Sequence, residues 1–165
     1  MKRKVFSILV DNTSGVLSRV AGLFSRRGYN IDSLTVGETE DSRFSRMTVV
    51  VHGDDAILEQ IEKQVAKLED VREVVELMDG SSVCRELVLV KVNANRMIRP
   101  DINAIVDIFR AKIVDVSRES MMIELTGNQN KIDAFIKLLD GYDIAEIVRT
   151  GIAGMTRGLP GENNG

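Results

Sequence analysis

Apolar and polar positions along the chain switch between two periods, and the switches mark out its elements. Residues 4–10 form a short apolar run suited to a pleated strand. Val16, Leu17, Val20, Ala21, Leu23 and Phe24 then recur at helical spacing, with Ser18, Arg19, Ser25 and Arg26 on the other side. The pattern predicts a strand over 5–10, a helix over 14–27 and strands over 31–39 and 45–51, the last two joined by the polar loop Glu40-Asp41-Ser42. Gly53-Asp54-Asp55 opens a second helix, whose Ile57, Leu58, Ile61, Val65 and Leu68 share one stripe. A fourth strand follows over 71–77. The order βαββαβ predicts a ferredoxin-like unit, two helices on one face of an antiparallel sheet.

Asp79-Gly80-Ser81-Ser82 is a small-residue, polar break, and beyond it the same order starts again. A strand over 86–92 leads to a helix opened by Pro100 and Asp101 that carries Ile102, Ile105, Val106 and Phe109. Strands over 112–116 and 121–125 flank Arg118-Glu119. Asn128 caps a helix with Ile132, Phe135, Ile136 and Leu139, and 144–149 closes the unit. The repeat distance is about eighty residues, without obvious identity between the copies. The fold class is therefore α+β, two ferredoxin-like domains in tandem. The expected boundaries are 1–78, a linker over 79–82, 83–152, and a flexible glycine-rich tail over 153–165.

Composition narrows the function. Of 165 residues 44% are hydrophobic but only 4% aromatic, so both cores depend on Val, Ile, Leu and Met. A net charge of −3 argues against a general nucleic-acid or anionic-membrane binder. The lone Cys84 excludes an internal disulfide framework and suits a reducing compartment. No run is long enough to span a bilayer, and Asp11 and Asn12 end the first apolar run too early for a signal peptide, so a cytoplasmic location is expected.

Ferredoxin-like domains host unrelated functions, so the residues must decide. A soft-metal carrier of this shape wants paired cysteines in its first turn, and that turn is Asn12-Thr13-Ser14-Gly15. An RNA binder wants stacked aromatics on its first and third strands, where only Phe6 and, just outside, Phe44 occur. A phosphate-ester hydrolase wants an arginine in the turn, and Arg19 sits one turn into the helix. His52 reads as a solvated strand end. Glu38, Glu40 and Asp41 read as an acidic hairpin loop rather than a cation site. No catalytic constellation and no metal site emerge.

The first turn offers something else. Thr13 or Ser14 can cap the helix, Gly15 lets the backbone approach a ligand, and the free N–H groups of the first helical turn favour an anion. The N–H groups near Gly15 and Val16 suit the carboxylate of an α-amino acid, and the side-chain carbonyls of Asn12 and Asn30 suit its ammonium. Leu17, Ile31 and the Val16 methyls wall a small branched side chain, although the helix stripe explains Leu17 equally well as core.

The stretch NTSGVLSRVAGLFSRRGYNIDSLTVGETED followed by SRMTVVV resembles the small regulatory subunit of acetolactate synthase, with an N-terminal ACT domain. The likeness extends through LVLVKV, IFRAKIVDVS and LDGYDIAEIVRTGIAGMTRG. The resemblance implies an amino-acid-binding ACT domain over 1–78, pairing with its copy in a homodimer. Valine, the feedback effector, would lie between the Asn-x-x-Gly turn of one protomer and the Asn-Ile strand start of the other. On this sequence those positions are Asn12, Gly15, Val16, Leu17, Asn30 and Ile31. It also implies a separate large catalytic subunit that holds thiamine diphosphate, Mg²⁺ and FAD and condenses two pyruvates to 2-acetolactate and CO2. This chain would carry no cofactor and raise that partner's activity in branched-chain amino acid synthesis. The competing reading is a free-standing ACT-domain sensor acting on another enzyme or a transcription complex.

Overall fold

The computed structural model describes residues 1–162. It divides into two compact units, 1–83 with the return segment from Ile152 onward, and 84–151. The first unit holds β1 (Lys2–Asp11), α1 (Val16–Arg26), β2 (Ile31–Glu38), β3 (Phe44–Gly53), α2 (Asp55–Ala66) and β4 (Val71–Glu76). Its antiparallel sheet has the order β2-β3-β1-β4, the split βαβ arrangement expected from the pattern. The second repeats it with β5 (Ser82–Asn93), α3 (Arg99–Phe109), β6 (Lys112–Val116), β7 (Ser120–Gly127), α4 (Gln129–Leu139) and β8 (Ile144–Arg149), in the order β6-β7-β5-β8.

Alternation along β1 builds the first core. Phe6, Ile8 and Val10 meet Val20 and Phe24 of α1 and Leu58, Ile61 and Val65 of α2. In the second unit Val88, Val90 and Val92 play the same part against Ile102, Val106, Ile132 and Phe135. The helix starts differ in kind. Asp54 Oδ1 accepts the Ile57 N–H at 2.8 Å and Asn128 Oδ1 accepts the Lys131 N–H at 2.9 Å, so α2 and α4 have side-chain caps. Helix α1 has none. Its N-cap is Gly15 at φ 84°, left-handed backbone that suits glycine, and neither Thr13 nor Ser14 caps it as the sequence suggested. The helix consequently begins at Val16, two residues later than its periodicity predicts.

The chain's end differs from the expected tail. Ala153–Thr156 forms a short strand, β9, which pairs with β5, and the Arg157 N–H donates to the Ser81 carbonyl at 2.9 Å. Before it, Ile152 is only 5% exposed. Its N–H donates to Ser33 Oγ at 3.3 Å, and its carbonyl accepts the Thr35 hydroxyl at 2.9 Å. Ser33 and Thr35 stand opposite Val50 and Thr48 on the sheet face away from the helices, where Val5 and Ser7 are also buried. The second unit is thus inserted between two crossings, 83–84 and 151–152, rather than followed by a free end. The last three residues of the expected tail, 163–165, lie outside the described residues.

Candidate functional site

The turn after β1 is held on both flanks by backbone. The Asp11 N–H donates to the Asp70 carbonyl at 2.9 Å and the Asn12 N–H to the Arg43 carbonyl at 2.7 Å. Asn12 Nδ2 donates to the Ser42 carbonyl at 3.0 Å. Only the amide's NH₂ end can donate, so this bond leaves Asn12 Oδ1 as the acceptor. Around the turn stand three arginine–carboxylate pairs. Arg72 grips Asp11 through two bonds of 2.7 and 2.6 Å, and that hydrogen bonding holds the Asp11 carboxyl below the usual carboxylate range. Arg43 grips Asp41 and, by hydrogen bonding, pulls it down to about 2. Arg19 reaches back along α1 to pair with Asp70 and to donate to the Ser14 carbonyl at 3.4 Å.

No side chain caps the first turn of α1, and its Val16 N–H makes only a long 3.5 Å bond to the Thr13 carbonyl, so the positive end of the helix start stays open. A Cβ on Gly15 would lie 2.9 Å from Arg19 Nη1, which sets a guanidinium beside those donors. Val16 is 4% exposed and its methyls belong to the core, so its backbone alone is offered to the turn. Leu17 is 47% exposed, which resolves its two readings against core.

Asn30 and Ile31 lie elsewhere. Ile31 pairs with Val51 on β3, and Val51 pairs with Lys4 on β1. Asn12 is eight residues further along the same line, about 26 Å away at roughly 3.3 Å per residue. One chain therefore presents Asn12, Gly15, Val16 and Leu17 at one end of the sheet and Asn30 and Ile31 at the other. The two asparagines are nonetheless treated alike. Asn30 Nδ2 donates to Asp32 Oδ1 at 2.9 Å, leaving its own carbonyl oxygen to accept. Strand β2, which carries Asn30 at its start, is an edge of the sheet.

Sequence reasoning weighed Arg19 only for phosphate chemistry and gave no role to Asp70 or Asp32. The partners Arg19 and Asp70 are 51 residues apart, and only the antiparallel pairing of β4 with β1 brings them together. Glu38, Glu40 and Asp41 do not converge: among the described residues no three His, Cys, Asp or Glu side chains form a metal-holding group. A concavity of about 460 Å³ between α2 and β4 is lined by Glu59, Glu62, Lys63 and Arg72 and includes none of the six residues above. No helix among the described residues is long and apolar enough to cross a membrane.

Fold and turn together define a protein of the ACT class, a ferredoxin-like unit with a glycine turn at the start of its first helix. Comparison with known proteins narrows this. Residues 6–73 match the AHAS small subunit-like ACT domain, and residues 85–158 match the family described as the small subunit of acetolactate synthase. The chain is 52% identical over 156 residues to the probable acetolactate synthase small subunit of Archaeoglobus fulgidus, covering 94% of this chain and 98% of that one. It is 48% identical to the acetolactate synthase isozyme 3 small subunit of Salmonella typhimurium, covering 94% and 96%. The crystal structure of the acetolactate synthase small subunit from Thermotoga maritima superposes with a TM-score of 0.86 at 45% identity, over 96% of this chain and 99% of that one. The chain belongs to the acetolactate synthase small-subunit family. By that family the chain is a regulatory small subunit, and the reaction is that of the assembled enzyme.

Proposed function

We propose that this chain activates the large catalytic subunit of acetolactate synthase and makes it sensitive to valine, which binds between the ACT domains of two copies. The observation that carries the reading is the placement of two acceptor-presenting asparagines. Asn12, with the uncapped helix start, sits at one end of the sheet, and Asn30 sits at the other end beside an open edge strand. A second copy related by a two-fold axis supplies to each turn the half that its own chain holds out of reach. The N–H groups of the α1 start then receive the carboxylate, and Asn12 and the partner's strand start receive the ammonium. Leu17, exposed at the turn, and Ile31, half-buried at the strand start, offer apolar surface for a branched side chain.

In this reading the chain itself holds no cofactor. The large subunit would supply thiamine diphosphate, Mg²⁺ and FAD, and synthesis would proceed in the cytoplasm. The test is calorimetry of valine on the purified chain, paired with acetolactate formation by the large subunit with and without it. Valine binding near one site per chain, and a rate gain that valine then suppresses, is the expected result. No binding, or acetolactate formation by this chain alone, overturns it.

A further inference from the structure

Strand β2 starts irregularly. Ile31 stands opposite Val51 and Ser33 opposite Val50, so Asp32 is an extra residue without a partner on β3. A bulge of this kind re-aims a side chain. Here the Asp32 carboxylate meets two groups. Oδ1 accepts the Asn30 amide at 2.9 Å, and Oδ2 bonds His52 Nδ1 from the neighbouring strand. His52 is the only histidine of the chain, and its side chain is 43% exposed.

We infer that Asp32, held by His52, is a positioning residue for the ammonium group of the amino-acid effector. It fixes Asn30 with its carbonyl oxygen outward, and it sets a negative charge beside the place where the ammonium arrives. The inference rests on the reading in which Asn30 faces that ammonium. The amide of an asparagine has two ends of nearly equal size, and a carboxylate accepts only from the NH₂ end, so Asp32 decides which end Asn30 presents. The same charge discriminates an amino acid from its deaminated analogue, which has nothing for it to attract.

The experiment is calorimetry on the full chain with valine and with 3-methylbutanoate, its deaminated analogue, at about pH 7. At neutral pH Asp32→Ala should weaken valine about tenfold and leave the analogue unchanged. Asp32→Asn keeps an acceptor for Asn30 but not the charge, so it should bind valine with intermediate affinity. His52→Gln removes the hold on Asp32 and keeps its charge, so it should weaken valine less than Asp32→Ala does. Asp32→Ala that melts cooperatively and binds valine as the wild type does, or weakens valine and the analogue alike, overturns the assignment. If Asp32→Ala does not fold, an Asp32→Asn chain that binds valine as tightly as the wild type overturns it. A wild-type chain that binds no valine at all overturns the underlying reading, and this assignment with it.

Discussion

The two units share a topology but begin their first helices in different ways. After β1 the turn ends in a left-handed glycine, no side chain caps α1, and the charged groups nearby pair with one another around the opening. After β5 there is no glycine, and the protein fills the equivalent place itself. Asn95 Oδ1 accepts the Met97 and Ile98 N–H groups at 3.0 and 3.2 Å. Arg99 Nε donates to the Ala94 carbonyl at 3.3 Å, and its Nη2 donates to the carbonyls of Ser117 and Arg118. Neither α1 nor α3 has a side-chain N-cap, but the turn before α3 is tied down by Asn95 and Arg99, while the turn before α1 ends in a left-handed glycine. The two turns differ in how the protein's own groups occupy them, not in how the strands are ordered.

The sheet faces away from the helices show the reverse contrast. In the first unit that face buries Val5, Ser7, Thr48 and Val50, with Ile152 tied above β2. In the second the equivalent face keeps Val148 51% exposed, beside half-buried Leu89 and Met122.

The largest effect should come from closing the open turn. Gly15→Asp places a carboxylate among the donors proposed for the ligand and next to Arg19, at a left-handed φ of 84° that strains any side chain. Charge-assisted hydrogen bonds are each worth about 1.5–3 kcal/mol. Losing two should weaken valine by roughly a hundredfold or more, at about 1.4 kcal/mol per tenfold. Calorimetry reads this, and activation of the large subunit should persist. Undiminished affinity would place the site elsewhere.

Next comes the return segment. Ile152→Ala removes a buried side chain and should cost about 2–5 kcal/mol. Val148→Ala on the exposed face should change stability by no more than about 0.5 kcal/mol. Denaturant unfolding of both variants compares the faces, and equal costs would contradict the contrast.

Opening the closed turn should matter less. Asn95→Ala removes the acceptor of the Met97 and Ile98 N–H groups and should cost about 1 kcal/mol in stability. It should create no second valine site, because no glycine there brings the backbone close to a ligand. A new site of comparable affinity would show that donor vacancy alone suffices.

Acid should have the mildest effect. Asp11 and Asp41 are held below their ordinary range, so their pairs stabilise the fold fully above about pH 4 and lose that contribution as pH falls toward the depressed values, about 2 for Asp41. The melting temperature of the wild-type chain should fall over this window more than that of Asp41→Asn. Parallel curves would mean that the Asp41 pair contributes nothing.

Much of this was legible in the sequence, for reasons that particular residues make plain. Periodicity located eight strands and four helices because each buries one stripe, as Phe6, Ile8 and Val10 do. It missed β9, whose Ala-Gly-Met-Thr has no apolar alternation and is placed by pairing with a distant strand. Composition could not tell which of Thr13, Ser14 and Gly15 ends the turn, since all three suit a helix start and only the φ of 84° decides. The Asn12 and Gly15 pattern was visible as a local motif. The Arg19–Asp70 and Asp32–His52 pairs were not, because strand register, not sequence proximity, creates them.

The most direct measurement mixes two damaged proteins. Asn30→Ala should weaken valine less than Gly15→Asp does, because it removes one uncharged acceptor and adds no repulsion. If each pocket joins the turn of one copy to the strand start of another, a heterodimer of the two variants holds one doubly damaged pocket and one intact pocket. After subunit exchange verified by native mass spectrometry, calorimetry of the mixture should show a class of sites with wild-type affinity that neither parent has. A mixture that exchanges fully yet binds valine no better than its parents would show that each pocket lies within a single chain.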